Sequence, residues 1–240
     1  SFFFAPMGYG YYGGGGGGGG ILTLLLLGFM AYTAYQSMNG GGGMLQGGYE
    51  EEYEDEKIGV AKLQVGLLGL ARDLQDDLER IADSADTSTP RGLHYVLTET
   101  VLALMRNPDM CVYACNEGKN VYSMGEAESA FNFYSMEERG KFAAETRTNV
   151  GGMKNTSIGG VAAAEGRNEF IVVTLVVAAA GGLKMPRVTD STSMKQALTK
   201  LGSVPAEDLT AVEVLWTPED RNDTLTLDEV LRDYPSMQNI

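Results

Sequence analysis

The sequence predicts an α+β domain of mixed α/β layers, carried behind a single transmembrane helix and a Gly- and aromatic-rich N-terminal arm. Three observations carry this. The 240 residues hold 32 acidic and 18 basic side chains, a net charge of −14, and none of them precedes Glu50. An uncharged apolar run extends from Ile21 to Met38. From Lys57 onward, short apolar runs alternate with segments of helical periodicity. The expected organisation is an arm (1–20), a spanning helix (21–38), a Gly-rich and acidic linker (39–56) and a domain (57–240).

The arm reads SFFFAPMGYGYYGGGGGGGG. Eight consecutive glycines cannot offset their own ordering entropy, so in isolation the segment is expected to be a flexible tether. Its aromatics, Phe2, Phe3, Phe4, Tyr9, Tyr11 and Tyr12, favour a membrane interface or a partner surface over water. The chain begins with Ser rather than Met, as expected of a mature product or a fragment.

Ile21 to Met38 carries no charge. As an α-helix at roughly 1.5 Å per residue it reaches about 27 Å, close to the ~30 Å hydrocarbon core. Tyr32 and Tyr35 suit an interfacial belt. The positive-inside rule is uninformative, because the first basic residue on either side is Lys57. Gly40 to Gly48 and the acidic run Tyr49 to Lys57 read as a solvated spacer, or as a strip for a basic partner surface.

Within the domain, Ile58 to Leu70 reads as a strand bulged at Gly66. Leu70, Leu74, Leu78 and Ile81 repeat at helical spacing among charged residues. Thr89-Pro90 signals a helix start, with the helix running to Arg106 before Asn107-Pro108. Met110 to Met124 is expected to be a hairpin turning at Asn116-Glu-Gly-Lys-Asn120. A short helix over Glu126 to Phe133 is expected, then a second one opened by the capping box Ser135-Met-Glu-Glu138. Gly151 to Gly166 reads as a loop. Glu169 to Ala180, EFIVVTLVVAAA, reads as the most buried strand. Ser191 to Leu201 is expected to be a helix and Leu209 to Trp216 a strand. With the strand before them they form a right-handed parallel crossover. A last capping box, Thr226-Leu-Asp-Glu229, opens a helix that ends near Tyr234-Pro235.

These residues exclude several classes. The acidic balance excludes nucleic-acid binding through bulk positive charge. Two cysteines cannot staple 240 residues, and with one histidine they make a zinc site improbable. No G-K-[ST] follows the glycines, and no G-x-S-x-G elbow is present. His94, beside the Leu97 and Val101 stripe, is expected to be a core-edge histidine rather than a ligand or proton switch. Cys111 and Cys115, spaced C-x₃-C, would share one strand face about 13 Å apart, too far to bridge, so both read as structural. The carboxylate pairs Asp76/Asp77 and Glu137/Glu138 read as solvated helix faces. No catalytic, cofactor-binding or metal-ligating residue is assigned, no cofactor is expected, and the chain reads as a non-enzyme.

Four segments carry a resemblance. They are Lys62 to Asp109 (KLQVGLLGLARDLQDDLERIADSADTSTPRGLHYVLTETVLALMRNPD), Phe131 to Thr146 (FNFYSMEERGKFAAET), Asn168 to Ala179 (NEFIVVTLVVAA) and Leu209 to Pro235 (LTAVEVLWTPEDRNDTLTLDEVLRDYP). Together they resemble the fluctuating-light-acclimation protein family of chloroplasts and cyanobacteria, over most of residues 57–235. The arm departs from the family in lacking its basic residues, and Met110 to Met124 departs as well. The resemblance implies a protein of thylakoid and envelope membranes that influences photoprotective energy dissipation, with no enzymatic activity attached. It implies an arm on the lumenal side and a domain on the stromal side. The expected function is therefore a membrane accessory or regulatory protein bound to photosystem or light-harvesting antenna subunits. The alternative is a membrane-tethered redox-active or catalytic domain using Cys111 and Cys115.

The uncharged segment generates a direct expectation. Alkaline carbonate washing of membranes should leave the intact chain in the pellet, and its release into the supernatant would contradict a spanning helix.

Overall fold

The structure, a computed structural model, describes residues 57–86, 89–150, 169–218 and 223–240. The arm, the Ile21 to Met38 segment, the linker to residue 56 and the Gly151 to Gly166 loop lie outside the described residues. Among those described, no helix is long and apolar enough to cross a membrane.

The elements are β1 (Ile58–Leu68), α1 (Arg72–Ser84), α2 (Pro90–Arg106), a 3₁₀ turn (Pro108–Met110), β2 (Cys111–Val121), α3 (Met124–Val150), β3 (Glu169–Ala180), α4 (Ser191–Gly202), β4 (Leu209–Thr217), β5 (Leu225–Thr226), α5 (Leu227–Asp233) and β6 (Gln238–Asn239). The strands form one sheet in the order β4-β3-β1-β2-β6, with β5 beside the start of β3. Every pairing is antiparallel. The domain is α+β, as expected, with helices on both faces.

Strand alternation decides which helix covers which face. Ala61, Leu63, Val65 and Leu67 of β1, with Val173, Leu175 and Val177 of β3, pack against Leu74, Leu78 and Ile81 of α1, Leu93, Leu97 and Leu104 of α2, and Met194 and Leu198 of α4. The opposite face meets Ala127, Ala130, Phe131 and Tyr134 of α3 at one end, and Val230 with Tyr234 beside α5 at the other. Leu70, the first of the apolar residues at helical spacing, precedes α1 and is exposed.

The parallel crossover is not formed. Gly181 and Gly182, at φ 75° and 82°, turn the chain out of β3 in a conformation that favours glycine. The next segment is held by two β2 side chains: Asn120 Oδ1 accepts from the Leu183 amide (2.9 Å) and Asn116 Oδ1 from the Val188 amide (3.0 Å). Gly59 of β1 permits this approach, since a Cβ there would overlap the Leu183 backbone. The chain therefore travels along the sheet before α4 begins. Helix α4 brings it back to the same end, where the Ala180 amide donates to the Asp208 carbonyl (2.8 Å). β4 consequently runs antiparallel to β3.

The same two asparagines explain a second difference. Asn116 to Asn120 is no hairpin turn but the straight middle of β2, in continuous register with β1 from Gly118 opposite Ala61 to Asn116 opposite Leu63. Their turn-forming side chains bind another segment's backbone instead of their own.

A third difference concerns α3, which is one helix and not two. Its cap is Ser123, whose Oγ accepts from the Glu126 amide (3.2 Å). Ser135 is buried in the helix interior, and Glu138 is drawn down to the sheet. The bulge expected in β1 at Gly66 belongs instead to its partner: the β1–β2 register shifts between Gly66 and Leu67, but the extra residue is Val112 of β2, and β1 keeps continuous register with β3.

Candidate functional site

Two polar rows cross the face of the sheet that α3 covers. Register places Glu117, Lys62, Val176 and Glu213 side by side on β2, β1, β3 and β4, with Cys115, Gln64, Thr174 and Leu215 in the next row. Directly paired residues share a face, so these side chains all point toward α3. Glu137, Glu138, Arg139 and Lys141 come down to meet them.

Lys62, 1 % exposed, donates from Nζ to Glu137 Oε2 at 2.8 Å and lies 3.3 Å from Glu117 Oε1 and 3.8 Å from Glu138 Oε1. Glu138, also 1 % exposed, accepts from Gln64 Nε2 (2.8 Å), Lys141 Nζ (2.7 Å) and the Thr174 hydroxyl (3.2 Å). Arg139 donates from Nε (3.2 Å) and Nη2 (2.6 Å) to one oxygen of Glu213, which is fully buried. Glu213 Oε2 has no hydrogen-bond partner among the described residues. Two rings complete the walls: Lys62 Nζ lies 5.2 Å from the Tyr134 ring centre, and Lys141 Nζ 4.2 Å from that of Tyr234.

Burial alone would lower the Lys62 pKa. The hydrogen bond to Glu137 and the charges of Glu117, Glu138 and Glu137 outweigh it, so the ammonium is held above the ordinary lysine value. Burial raises the Tyr134 phenol, with Glu117 adding to the effect. It also pushes the Cys115 and Cys111 thiols up to about 11, more than Lys62 and Lys195 respectively lower them.

The cysteines do not share a face. The extra residue at Val112 puts Cys111 in the core under α1, α2 and α4, and Cys115 in the core beside α5. Both are free and buried. Cys115 Sγ donates to the Gln64 amide oxygen at 3.2 Å, which is not a base, so the thiolate gains no support. His94 sits partly buried on α2, across the sheet from Glu138 and Glu213. Thr174 does meet a carboxylate, Glu138, but both are buried. No group of three or more His, Cys, Asp or Glu that could hold a metal occurs among the described residues.

Glu138 corrects the expectation of a solvated Glu137/Glu138 face. It points inward because the sheet beneath offers Gln64, Thr174 and a lysine. The signal was present in sequence as single polar residues at alternating positions of apolar strands: Lys62 and Gln64, Thr174, and Glu213 in LTAVEVLW. Pairing these across strands required the register.

The fold and site define a class: an antiparallel α/β-layer domain whose central polar cluster is an internally compensated ion network. The chain belongs to the family described as "Protein of unknown function (DUF1517)", whose model matches residues 57–240. It is similar to FLUCTUATING-LIGHT-ACCLIMATION protein 1, chloroplastic, of Arabidopsis thaliana. That match is 50 % identical over 186 residues, covering 77 % of this chain and 47 % of the relative. It is also similar to Protein FLAP1 homolog A of Synechocystis sp. (strain ATCC 27184 / PCC 6803 / Kazusa), at 41 % identity over 209 residues, covering 83 % of this chain and 62 % of that relative. The alignments thus span about half to three-fifths of these relatives' lengths. No solved structure matches the chain significantly.

Two outcomes follow from the network. Arg139 is 35 % exposed and Glu213 is not exposed at all, so the costs of losing each partner differ. Arg139→Ala strands a buried carboxylate and should cost about 3–5 kcal/mol. Adding Glu213→Leu should recover most of it, since the strand there is otherwise lined by Ala211, Leu215 and Val176. Urea unfolding of the two variants measures the difference.

Alkaline stability is the second. Each thiol holds its proton in the folded state at a pH where the unfolded chain has released it. Stability is therefore full below about pH 9 and falls as pH rises toward 11, by about 2–3 kcal/mol per thiol. Lys62 has the same sign: its contribution is complete below 10.5 and is lost as pH passes its raised folded value. Replacing both cysteines with Ala should flatten the decline in unfolding midpoint between pH 9 and 11.

Proposed function

We propose that this chain is a non-enzymatic accessory protein of the thylakoid membrane that acts in acclimation to fluctuating light. In this reading it associates with photosystem or light-harvesting antenna subunits and modulates photoprotective energy dissipation in a chloroplast or a cyanobacterium. The observation that carries it is the 50 % identity to the Arabidopsis protein named for fluctuating-light acclimation, over 77 % of this chain. The geometry supports the non-enzymatic part: the ionisable groups gathered under α3 are turned on one another, and both thiols are kept protonated by burial.

The Ile21 to Met38 helix provides the anchor, and the arm provides most of the binding to the complex. Glycines let the backbone lie in a narrow groove, and aromatics add large apolar contacts. The domain stands on the stromal side, with Glu50 to Glu56 adding a salt-sensitive rim contact.

Deleting the gene in its host should alter the relaxation of chlorophyll-fluorescence quenching under alternating light more than under steady light. Restoring the full chain should reverse this. Restoring a chain without Ser1 to Gly20 should leave the defect and abolish co-migration with photosynthetic complexes on native gels. Unchanged quenching in the deletion strain, or co-migration that survives loss of the arm, would sink the proposal.

A further inference from the structure

Among the described residues, the half of β2 beyond β6 is an open backbone edge, and there the sequence is complementary to itself. On one side β2 pairs with β1 from Cys111 to Val121. On the other, among the described residues, only β6 pairs with it, at Tyr113 and Ala114, while the Ile240 amide donates to the Val112 carbonyl at 3.0 Å. Beyond that point Glu117, Gly118 and Lys119 are exposed.

Alternate residues of an antiparallel strand aim their N–H and C=O at the same side. The bond at Val112 and the pairing at Ala114 set the phase, so the backbone groups of Asn116, Gly118 and Asn120 point outward. The strand is also held still from behind. The side chains of Asn116 and Asn120 grip the segment from Leu183 to Val188, and Gln238 Nε2 donates to the Val188 carbonyl. An edge already ordered loses little freedom on pairing.

We propose that this edge pairs with the same edge of a second copy of the chain, antiparallel about a two-fold axis at Gly118. Gly118 then faces its own counterpart, and Asn116 faces Asn120 of the second copy, so the outward groups of all three meet outward groups. In this register each Glu117 lies directly opposite a Lys119, twice over by symmetry. The neighbouring registers are disfavoured by the same two residues. A shift by one residue sets outward groups against inward ones. A shift by two preserves the hydrogen-bond phase but opposes Glu117 to Glu117 or Lys119 to Lys119.

A charged residue on an edge strand ordinarily blocks pairing, and Lys119 alone would do so. Glu117, two residues away on the same face, converts that block into attraction for one arrangement. Its Oε1 lies 3.3 Å from Lys62 while the side chain stays 44 % exposed, so it can serve both partners. β6 occupies the edge at Ala114, which confines the new pairing to Asn116 through Asn120. A contact that short falls below the roughly 1,200 Å² of a standard interface, so the dimer is weak and reversible.

Sedimentation velocity of the full chain in mild detergent, over a concentration series at physiological ionic strength, tests this. The expected result is a monomer–dimer equilibrium that Lys119→Glu weakens at least about tenfold without changing the unfolding midpoint. Glu117→Lys, which also takes a carboxylate from Lys62 and should lower the unfolding midpoint, should weaken it at least as much, and an equimolar mixture of the two folded variants should restore the dimer, because each Glu again meets a Lys. Carbodiimide coupling of unmodified chains, half of them isotope-labelled, should yield a mixed-isotope peptide joining Lys119 of one copy to Glu117 of the other. This arm needs no variant to fold. A wild-type chain that stays monomeric throughout, a dimer indifferent to Lys119→Glu, or absence of the mixed-isotope peptide overturns the proposal.

Discussion

A lysine ammonium in the middle of the central strand is the constraint on which the rest of the structure depends. Lys62 belongs to β1, which has a strand on either side and helices over both faces. Removing such a charge from water costs several kcal/mol unless opposite charges and hydrogen bonds surround it. The sheet supplies one carboxylate, Glu117, and the others must come from above. Helix α3 can provide Glu137 and Glu138 only if it lies across β1 at one rotational setting. That setting also carries Arg139 over β3 to Glu213 on β4, while Lys141, one turn on from Glu138 in the same helix, adds a local ion pair. One ion thus specifies the position of a helix relative to four strands.

The two faces of the sheet are specified by different physics. Under α1, α2 and α4 the contact is apolar, and such a core tolerates exchange of one aliphatic side chain for another of like volume. Under α3 it is directional, because Lys62, Lys141, Arg139 and the Gln64 amide each have a carboxylate at hydrogen-bond distance. Directional cores disfavour alternative registers more than they add stability. The bulge at Val112 belongs to the same logic. It rotates the start of β2 so that one thiol enters each core, and burial then keeps both protonated.

Inward compensation shapes what remains for partners. The three cations and four carboxylates of the network are turned on one another, so the function proposed above assigns recognition to what lies outside it: the uncharged N-terminal segment and the acidic run from Glu50 to Glu56, with the open edge of β2 among the described residues. These suit different partners. On the proposed reading the arm takes a groove within a membrane assembly, the linker a basic rim, and the edge another strand.

Much of the fold was legible in the sequence. Periodicity located β1, α2, β3, α4 and β4 close to their observed limits, because each keeps one period and is bounded by Pro, Gly or a capping residue. Thr226-Leu-Asp-Glu229 is a cap in sequence and in structure, since both its hydrogen bonds are local. The misreadings share one cause. Asn116 and Asn120 have turn chemistry, and Glu138 completes a cap signature with Ser135, yet the two asparagines and Glu138 were claimed by distant partners: the backbone at Leu183 and Val188, or the polar row on β1 and β3. Glu138 looked like a solvated residue because nothing within four positions reveals Gln64 beneath it. Local sequence therefore determined the elements and the acidic, asymmetric character of the chain. Which polar residues are buried together, and the direction of β4, were decided only in three dimensions, where partners some 35 to 110 positions apart compete with local hydrogen bonds and win by excluding water.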